Sequence, residues 1–174
     1  MKRIRKTLGA EVNYQQFNLV VDPDNPFEDY GWSEEDIEDM LWIEENELEL
    51  WQEDSDLFNN LGILYSDAVG VKRDMEKAIK YYERAIELDD DLARSNLGDI
   101  YKKGVGGVEK NPVKAFDLYK ACKLPYAYYR VGEAYENGWG VESNIDAAKF
   151  NYLVSYKAGH PLARKKLKLL NFLR

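Results

Sequence analysis

Three closely spaced glycines, Gly104, Gly106 and Gly107, form the stretch of this sequence most suggestive of chemistry. Glycine-rich turns bind phosphate when their backbone N–H groups point at the anion and a following Gly-Lys-Ser or Gly-Lys-Thr completes the loop. That completing sequence is absent here. The glycines therefore fit a structural turn better than a nucleotide-binding loop.

The other residues able to do chemistry stand alone. His160, the single histidine, lies in a Gly-His-Pro connection, and we interpret it as a turn residue. Cys122, the single cysteine, has no disulfide partner, and we expect a small buried residue there rather than a reactive thiol. Acids near Asp54 lack the spacing of a calcium loop. We predict no catalytic residue, no metal and no cofactor.

The elements that carry these residues are repeated along the chain. Gly62, Gly98 and Gly132 recur at steps of 36 and 34 residues. Other positions recur in the same register: Tyr65, Tyr101 and Tyr135; Ala78, Ala115 and Ala148; Tyr82, Tyr119 and Tyr152. Self-similarity at such a period is typical of stacked helical repeats. We therefore predict three copies of one structural unit.

Each copy is predicted to be two helices joined by a glycine turn. The second helix begins after Asp74, Asn111 or Asn144, whose side chains can cap its first N–H groups. Glycine inside the first helix costs about 1 kcal/mol relative to alanine. Its recurrence indicates that a neighbouring helix approaches too closely for a Cβ atom. Such short helix pairs bury their apolar faces only by stacking on one another.

The stretch "LGDIYKKGVGGVEKNPVKAFDLYKAC" from Leu97 resembles the Sel1-like repeat motif, which pairs Leu-Gly-x-x-Tyr with a Gly-x-Gly-Val turn and an Asp-x-x-x-Ala helix. Ala68 replaces the first turn glycine in copy one. The resemblance implies an all-α fold, a short right-handed superhelical solenoid of helix-turn-helix repeats, whose usual use is protein binding. Equivalent turns at Gly70 and Gly138 support the structural interpretation of the glycine cluster.

The predicted organisation has two regions. Residues 1–55 form an acidic N-terminal extension with a capping helix, and residues 56–174 form the repeat array. The three copies span about 56–91, 92–125 and 126–160. The remaining "AGHPLARKKLKLLNFLR" is predicted to be a basic capping helix.

The N-terminal region is predicted to become helical at Ser33, which with Asp36 approximates a capping box. Its predicted apolar stripe consists of Ile37, Met40, Leu41, Leu48 and Trp51, and leaves out Trp32, Trp42 and Ile43. Upstream, residues 13–21 are rich in β-branched and aromatic types and favour extended structure. The region is interpreted either as a cover for the first repeat or as an interface for a cationic partner.

Charge is strongly polarised along the chain, whose formal net charge is −8. Residues 7–71 carry 18 acids and no Lys or Arg, whereas residues 72–174 carry 20 bases and 14 acids. Such a field attracts a basic partner and repels nucleic acid. We therefore predict a basic protein partner and no nucleic acid.

Nothing in the sequence has the length of a membrane span or the apolar run of a signal peptide. We predict no membrane association and a cytoplasmic location, and we expect the free chain to be a monomer.

Two sets of partner-binding residues are predicted. The first is a concave groove formed by the first helix of each copy: Asn59, Ile63, Ser66, Ser95, Asp99, Lys102, Tyr126, Tyr129, Glu133 and Glu136. The second is an acidic patch on the N-terminal helix: Glu34, Glu35, Glu38, Asp39 and Trp42.

These features predict a non-enzymatic protein-binding module. The most specific hypothesis is an inhibitor or immunity protein that neutralises a basic bacterial toxin, because a small, strongly acidic repeat protein needs only to bind. A signalling adaptor or regulator is the alternative, and a self-assembling scaffold is another. A hydrolase is the remote alternative, since the hydrolytic forms of the family resemble cysteine-rich secreted proteins and this chain has one cysteine.

Overall fold

The computed structural model describes residues 30–171, and this range is α-helical with short 3₁₀ segments and no strand. The all-α class is therefore as predicted. The helices are α1 Glu34–Asn46, α2 Ser55–Asp67, α3 Met75–Glu87, α4 Asp91–Lys103, α5 Pro112–Ala121, α6 Pro125–Asn137, α7 Ile145–Lys157 and α8 Ala163–Leu169. The segment predicted to be extended, residues 13–21, lies outside the described residues.

The chain forms two compact units, with the boundary between Asp90 and Asp91. In unit one, α2 packs on α3 as the first helix pair, and α1 precedes them. In unit two, each helix from α4 to α8 packs on the next. The short α8 follows the third pair at the position of the predicted C-terminal capping helix.

Side-chain caps start the second helix of each pair, as the sequence predicts. Asp74, Asn111 and Asn144 each accept a hydrogen bond from the N–H three residues later, at 3.0, 2.9 and 2.9 Å. Pro112 occupies the first turn of α5, where a missing N–H has no consequence. Local chemistry therefore sets where these helices begin.

The three helix pairs share one contact between the glycine of the first helix and a tyrosine of the second. A Cβ atom on Gly62, Gly98 or Gly132 would lie 2.6, 2.9 or 2.7 Å from a ring carbon of Tyr82, Tyr119 or Tyr152, respectively. All three rings are buried. The prediction that a neighbouring helix approaches each glycine too closely for a Cβ atom is confirmed.

The glycine cluster at Gly104, Gly106 and Gly107 is a turn. All three residues have positive φ, and the N–H of Gly104 donates to the Ile100 carbonyl at 2.8 Å. This donor is thus used within the protein and does not face a ligand. At the matching turn of the first pair, Ala68 adopts the left-handed conformation with φ 63°.

The apolar face of α1 differs from the predicted stripe. Ile43, which the prediction left out, is fully buried with Ile37 and Met40. The α-helix ends at Asn46, so Leu48 and Trp51 belong to a separate 3₁₀ segment. The predicted stripe assumed one continuous helix from Ile37 to Trp51, which the chain does not form. The predicted capping box of Ser33 and Asp36 is present.

Candidate protein-binding surfaces

The outer side of α1 carries a set of carboxylates with an exposed aromatic ring. We define the acidic face as Glu34, Glu35, Glu38, Asp39 and Trp42, all exposed, with Trp42 52% exposed. The first-turn acids suit the positive end of the helix dipole. Within residues 30–171, no Lys or Arg forms an ion pair with these carboxylates. The described part of the chain therefore leaves their charge uncompensated.

A different acid of α1, Glu44, anchors this helix to the first pair. Its carboxylate accepts hydrogen bonds from the hydroxyls of Tyr65 and Tyr81, and from Lys77 Nζ at 2.6 Å. Lys77 also lies 4.3 Å from the centre of the Tyr65 ring. Burial alone raises the pKa of Glu44, but the three hydrogen bonds outweigh it, and the net pKa is lowered. We call these four residues the Glu44 anchor.

The first helices of unit two bring several predicted groove residues together in one charged network. Asp99 accepts from Arg130 Nη2 at 3.1 Å, from the Tyr126 hydroxyl at 2.9 Å and from Lys103. Arg130 Nη1 donates to Glu133 at 2.8 Å, and Lys102 reaches Glu133 at 3.3 Å. These opposite charges compensate one another within the unit.

Glu136 forms a further ion pair in unit two, outside the Asp99 network. It accepts from Lys166 Nζ at 2.7 Å and from the Tyr152 hydroxyl. Beside it, Tyr129 stacks on the ring of His160 with centroids 4.6 Å apart. Burial and the nearby Arg130 lower the pKa of His160, so the imidazole is neutral at pH 7. His160 is thus a packing residue of a turn.

Burial divides the ten predicted groove residues. Asn59, Ser66 and Ser95 are only 3, 3 and 1% exposed, and Tyr129 is 8% exposed. The structure buries these side chains instead of exposing them along a groove; Ser66, for example, contacts the Tyr82 hydroxyl at 3.1 Å. The other six are partly exposed: Ile63, Asp99, Lys102, Tyr126, Glu133 and Glu136. Partner binding by those six stays a prediction.

Sequence reasoning missed three residues that organise this surface. Arg130 bridges Asp99 and Glu133, Lys166 pairs with Glu136, and Trp139 lies 4.7 Å below the ammonium of Lys102. Their partners are 30 or more residues away along the chain, apart from the Arg130–Glu133 pair at i and i+3. That local pair was the one signal available from the sequence.

The structure gives little support to a reactive cysteine or a metal site. Cys122 is buried, and desolvation raises the pKa of its thiol to about 11, so the thiolate is scarce at neutral pH. Over residues 30–171, His, Cys, Asp and Glu side chains form no group of three suited to a metal ion. In the same range, no helix is both long and apolar enough to cross a bilayer.

The fold and the repeated Gly–Tyr contact define a class of protein, the helical-pair repeat proteins. The profile of the Sel1 repeat matches residues 59–90, 92–121 and 125–160. The chain belongs to the Sel1 repeat family, whose repeats typically mediate protein–protein interactions and are generally not catalytic.

Solved structures show the same fold. A Sel1 repeat protein from Oxalobacter formigenes is 26% identical with a TM-score of 0.67, covering 75% of this chain and 53% of that one. A protective antigen of uropathogenic Escherichia coli with an SLR fold is 23% identical with a TM-score of 0.69, covering 76% and 28%. Helicobacter pylori cysteine rich protein B is 24% identical with a TM-score of 0.58, covering 79% and 99%.

Curated relatives match over shorter segments. The ERAD-associated E3 ubiquitin-protein ligase component HRD3 of Candida glabrata is 37% identical over 78 residues, 43% of this chain and 9% of its own length. A relative from Schizosaccharomyces pombe is 33% identical over 84 residues, 46% of this chain and 12% of its own length. The likeness therefore concerns the repeats and a small part of each relative.

Proposed function

We propose that this chain is a non-enzymatic protein-interaction module whose acidic face binds a basic protein. The observation that carries the proposal is the accessibility of four carboxylates on α1 that no described cation neutralises. Over residues 7–71 the sequence supplies no Lys or Arg at all. Clustered charge of one sign speeds the encounter with a partner of opposite sign.

The acidic face also offers an apolar contact. Trp42 is 52% exposed amid the carboxylates. Aromatic side chains are enriched among the residues that dominate binding energy at protein interfaces. In this proposal the carboxylates steer and orient the partner, and Trp42 supplies the buried contact.

The narrower form of the proposal is an inhibitor, such as the immunity partner of a basic bacterial toxin. An inhibitor of this kind acts by covering a cationic surface, which needs affinity and no chemistry. The low reactivity expected for Cys122 and the neutral, stacked His160 are consistent with a role by binding alone.

The proposal is tested by capturing partners on the wild-type chain and on two variants of equal charge. The first replaces the acidic face by amides: Glu34→Gln, Glu35→Gln, Glu38→Gln and Asp39→Asn. The control replaces four exposed acids elsewhere: Glu76→Gln, Glu109→Gln, Asp117→Asn and Glu142→Gln. We expect the wild type and the control to capture basic proteins, and salt should elute these proteins. The association rate constant of such a partner should be at least about tenfold lower for the first variant.

Equal capture and equal association rates for both variants would remove the acidic face from the function. An acidic protein or nucleic acid as the dominant partner would contradict the charge argument.

An adaptor is the second candidate, supported by the curated relative named as a component of an E3 ubiquitin-protein ligase. An adaptor holds two partners at once, whereas an inhibitor needs one. The two are separated by testing whether the captured complex recruits a further protein through unit two, and whether replacing Lys102 and Glu133 abolishes only that second contact.

A further inference from the structure

A second charged surface, of opposite sign, lies at the C-terminal end of unit two. Residues 147–174 carry seven Lys or Arg and no acid. We define the basic face by its exposed cations, Lys157, Arg164, Lys165 and Lys168. Within residues 30–171, no carboxylate forms an ion pair with them, in contrast to Lys166, which pairs with Glu136.

The arrangement of α8 explains why these cations are exposed. Ala163 and Leu167 occupy its buried side. Arg164, Lys165 and Lys168 follow the spacing i, i+1 and i+4, which places them together on the other side of the helix. Apolar side chains accompany them: Leu169 is 67% exposed, Leu162 is 43% exposed, and Phe150 on α7 is 65% exposed.

The two earlier helices equivalent to α7, which are α3 and α5, do not have an apolar residue at the position of Phe150. The residues equivalent to Phe150 are Lys80 in α3 and Asp117 in α5, which are both exposed and charged. Charged residues are the usual choice for a helix face in water. Phe150 therefore gives α7 an exposed apolar side chain where the two equivalent helices carry a charged one.

The basic face is complementary to the acidic face of the same sequence. Each has four exposed charges without an ion-pair partner among residues 30–171, and each is accompanied by exposed apolar side chains, Phe150 and Leu169 for the basic face and Trp42 for the acidic face. We propose that the basic face binds the acidic face of a second copy of this chain, so that the free protein self-associates instead of remaining the monomer that the sequence led us to expect. The contact is heterologous, joining two different surfaces of identical molecules.

A second copy fits these observations better than an anionic membrane. A negatively charged bilayer attracts the basic face, but it repels the acidic run of residues 7–71 and offers that run no partner. A second copy instead presents carboxylates and an exposed tryptophan. The inference rests on the same accessible acidic face as the proposed function, so self-association competes with an external basic partner.

The experiment measures molar mass by light scattering as the concentration of the purified full chain increases. At about 0.01 M salt, where charges act over about 30 Å, we expect the mass to rise above that of a monomer. At about 1 M salt the range falls to about 3 Å, and we expect the monomer. A wild-type chain that stays monomeric at every concentration in low salt overturns the proposal.

Two neutralised variants give a sharper test. The acid-face variant is the one described above, and the base-face variant carries Lys157→Gln, Arg164→Gln, Lys165→Gln and Lys168→Gln. Measured separately, each variant lacks one side of the contact. We therefore expect the affinity of its self-association to be at least about tenfold lower, because four exposed charge pairs are lost. An equimolar mixture still contains one intact face of each kind and should form a one-to-one complex. Failure of the mixture to associate contradicts the proposal.

A matched control and a competing ligand complete the design. The control neutralises four other exposed lysines, Lys72→Gln, Lys80→Gln, Lys110→Gln and Lys123→Gln, and should self-associate like the wild type. Phosphatidylserine vesicles serve as the alternative ligand. Vesicle binding that requires the basic face, together with a monomeric wild type, would overturn the proposal in favour of a lipid surface.

The outcomes also separate this inference from the proposed function. The base-face variant should lose self-association but still capture a basic partner, whereas the acid-face variant should lose both. If the acid-face variant loses self-association and keeps its external partner, the proposed function alone fails.

Discussion

At the scale of single residues, the close packing of the two helices in each pair depends on a glycine in the first helix and a tyrosine in the second. The buried Tyr82, Tyr119 and Tyr152 rings lie against helical glycines, and this contact repeats in all three pairs. Ala68 is the exception to the turn pattern, since it holds φ 63° where Gly104 and Gly138 hold 74° and 67°. A non-glycine residue in this region costs about 1 to 2 kcal/mol.

The strain at Ala68 gives a prediction. Ala68→Gly should stabilise unit one by about 0.5 to 1 kcal/mol, because relief of the left-handed conformation exceeds the entropy cost of glycine. Urea unfolding monitored by circular dichroism measures the change. The matched control, Ala147→Gly within α7, has ordinary helical geometry and should destabilise by about 0.5 to 1 kcal/mol. A loss of stability for both variants would contradict this account.

At the scale of elements, helix α1 combines a buried side that holds it in unit one with an exposed side that carries the acidic face. Its apolar side is buried through Ile37, Met40 and Ile43, and Glu44 ties it to α2 and α3. The Glu44 side chain is only 10% exposed. One carboxylate thus has a structural role while its exposed neighbours remain available to a partner.

Replacing the carboxylate of the Glu44 anchor should loosen α1. Glu44→Gln removes the charged acceptor of three donors, and we expect a loss of about 1 to 3 kcal/mol in unfolding free energy. Hydrogen exchange should show weaker protection of the α1 amides. The adjacent Glu45→Gln is the matched control, since Glu45 is exposed, and it should leave the exchange unchanged. Equal exchange in both variants would show that the anchor does not hold the helix.

At the scale of the whole molecule, acidic and basic charge are segregated along the chain, yet unit two also contains a partly buried network in which opposite charges compensate one another. Asp99 and Glu133 are mostly buried and share Arg130. Burial alone raises the pKa of Asp99, but Arg130, Lys103 and Tyr119 outweigh it and lower the net pKa. Arg130 and Lys102 likewise lower the pKa of Glu133 against its burial.

These lowered pKa values predict loss of stability in acid. Because the folded protein binds these protons less readily than the unfolded chain, the contribution to stability is present above the ordinary carboxyl pKa of about 4. It is lost as the pH falls from that value through the lowered pKa values of the folded state. Asp99→Asn should cost about 3 kcal/mol at pH 7, since Arg130 loses a partner, and should flatten the decline in acid.

Urea unfolding at neutral and acidic pH provides the measurement. Asp117→Asn, an exposed acid of the same unit, is the control and should keep the wild-type pH profile. If Asp99→Asn also keeps that profile, the network does not govern acid stability.

The sequence by itself determined the repeat number, the helix starts and the turns, because these depend on local chemistry. The caps at Asp74, Asn111 and Asn144, and the glycines that a neighbouring helix approaches closely, are recognisable from residue type and register. The polarised charge was equally visible, since the exclusion of Lys and Arg over residues 7–71 is a property of the chain itself.

Only the tertiary structure decided which polar side chains remain accessible. Asn59, Ser66 and Ser95 stand at positions that the repeat pattern assigns to the surface, yet all three are buried. The contact of Asp99 with Arg130, 31 residues away, was equally hidden from the sequence. Accessibility and ion pairing depend on the distance and rotation between packed helices, which residue spacing within one helix does not specify.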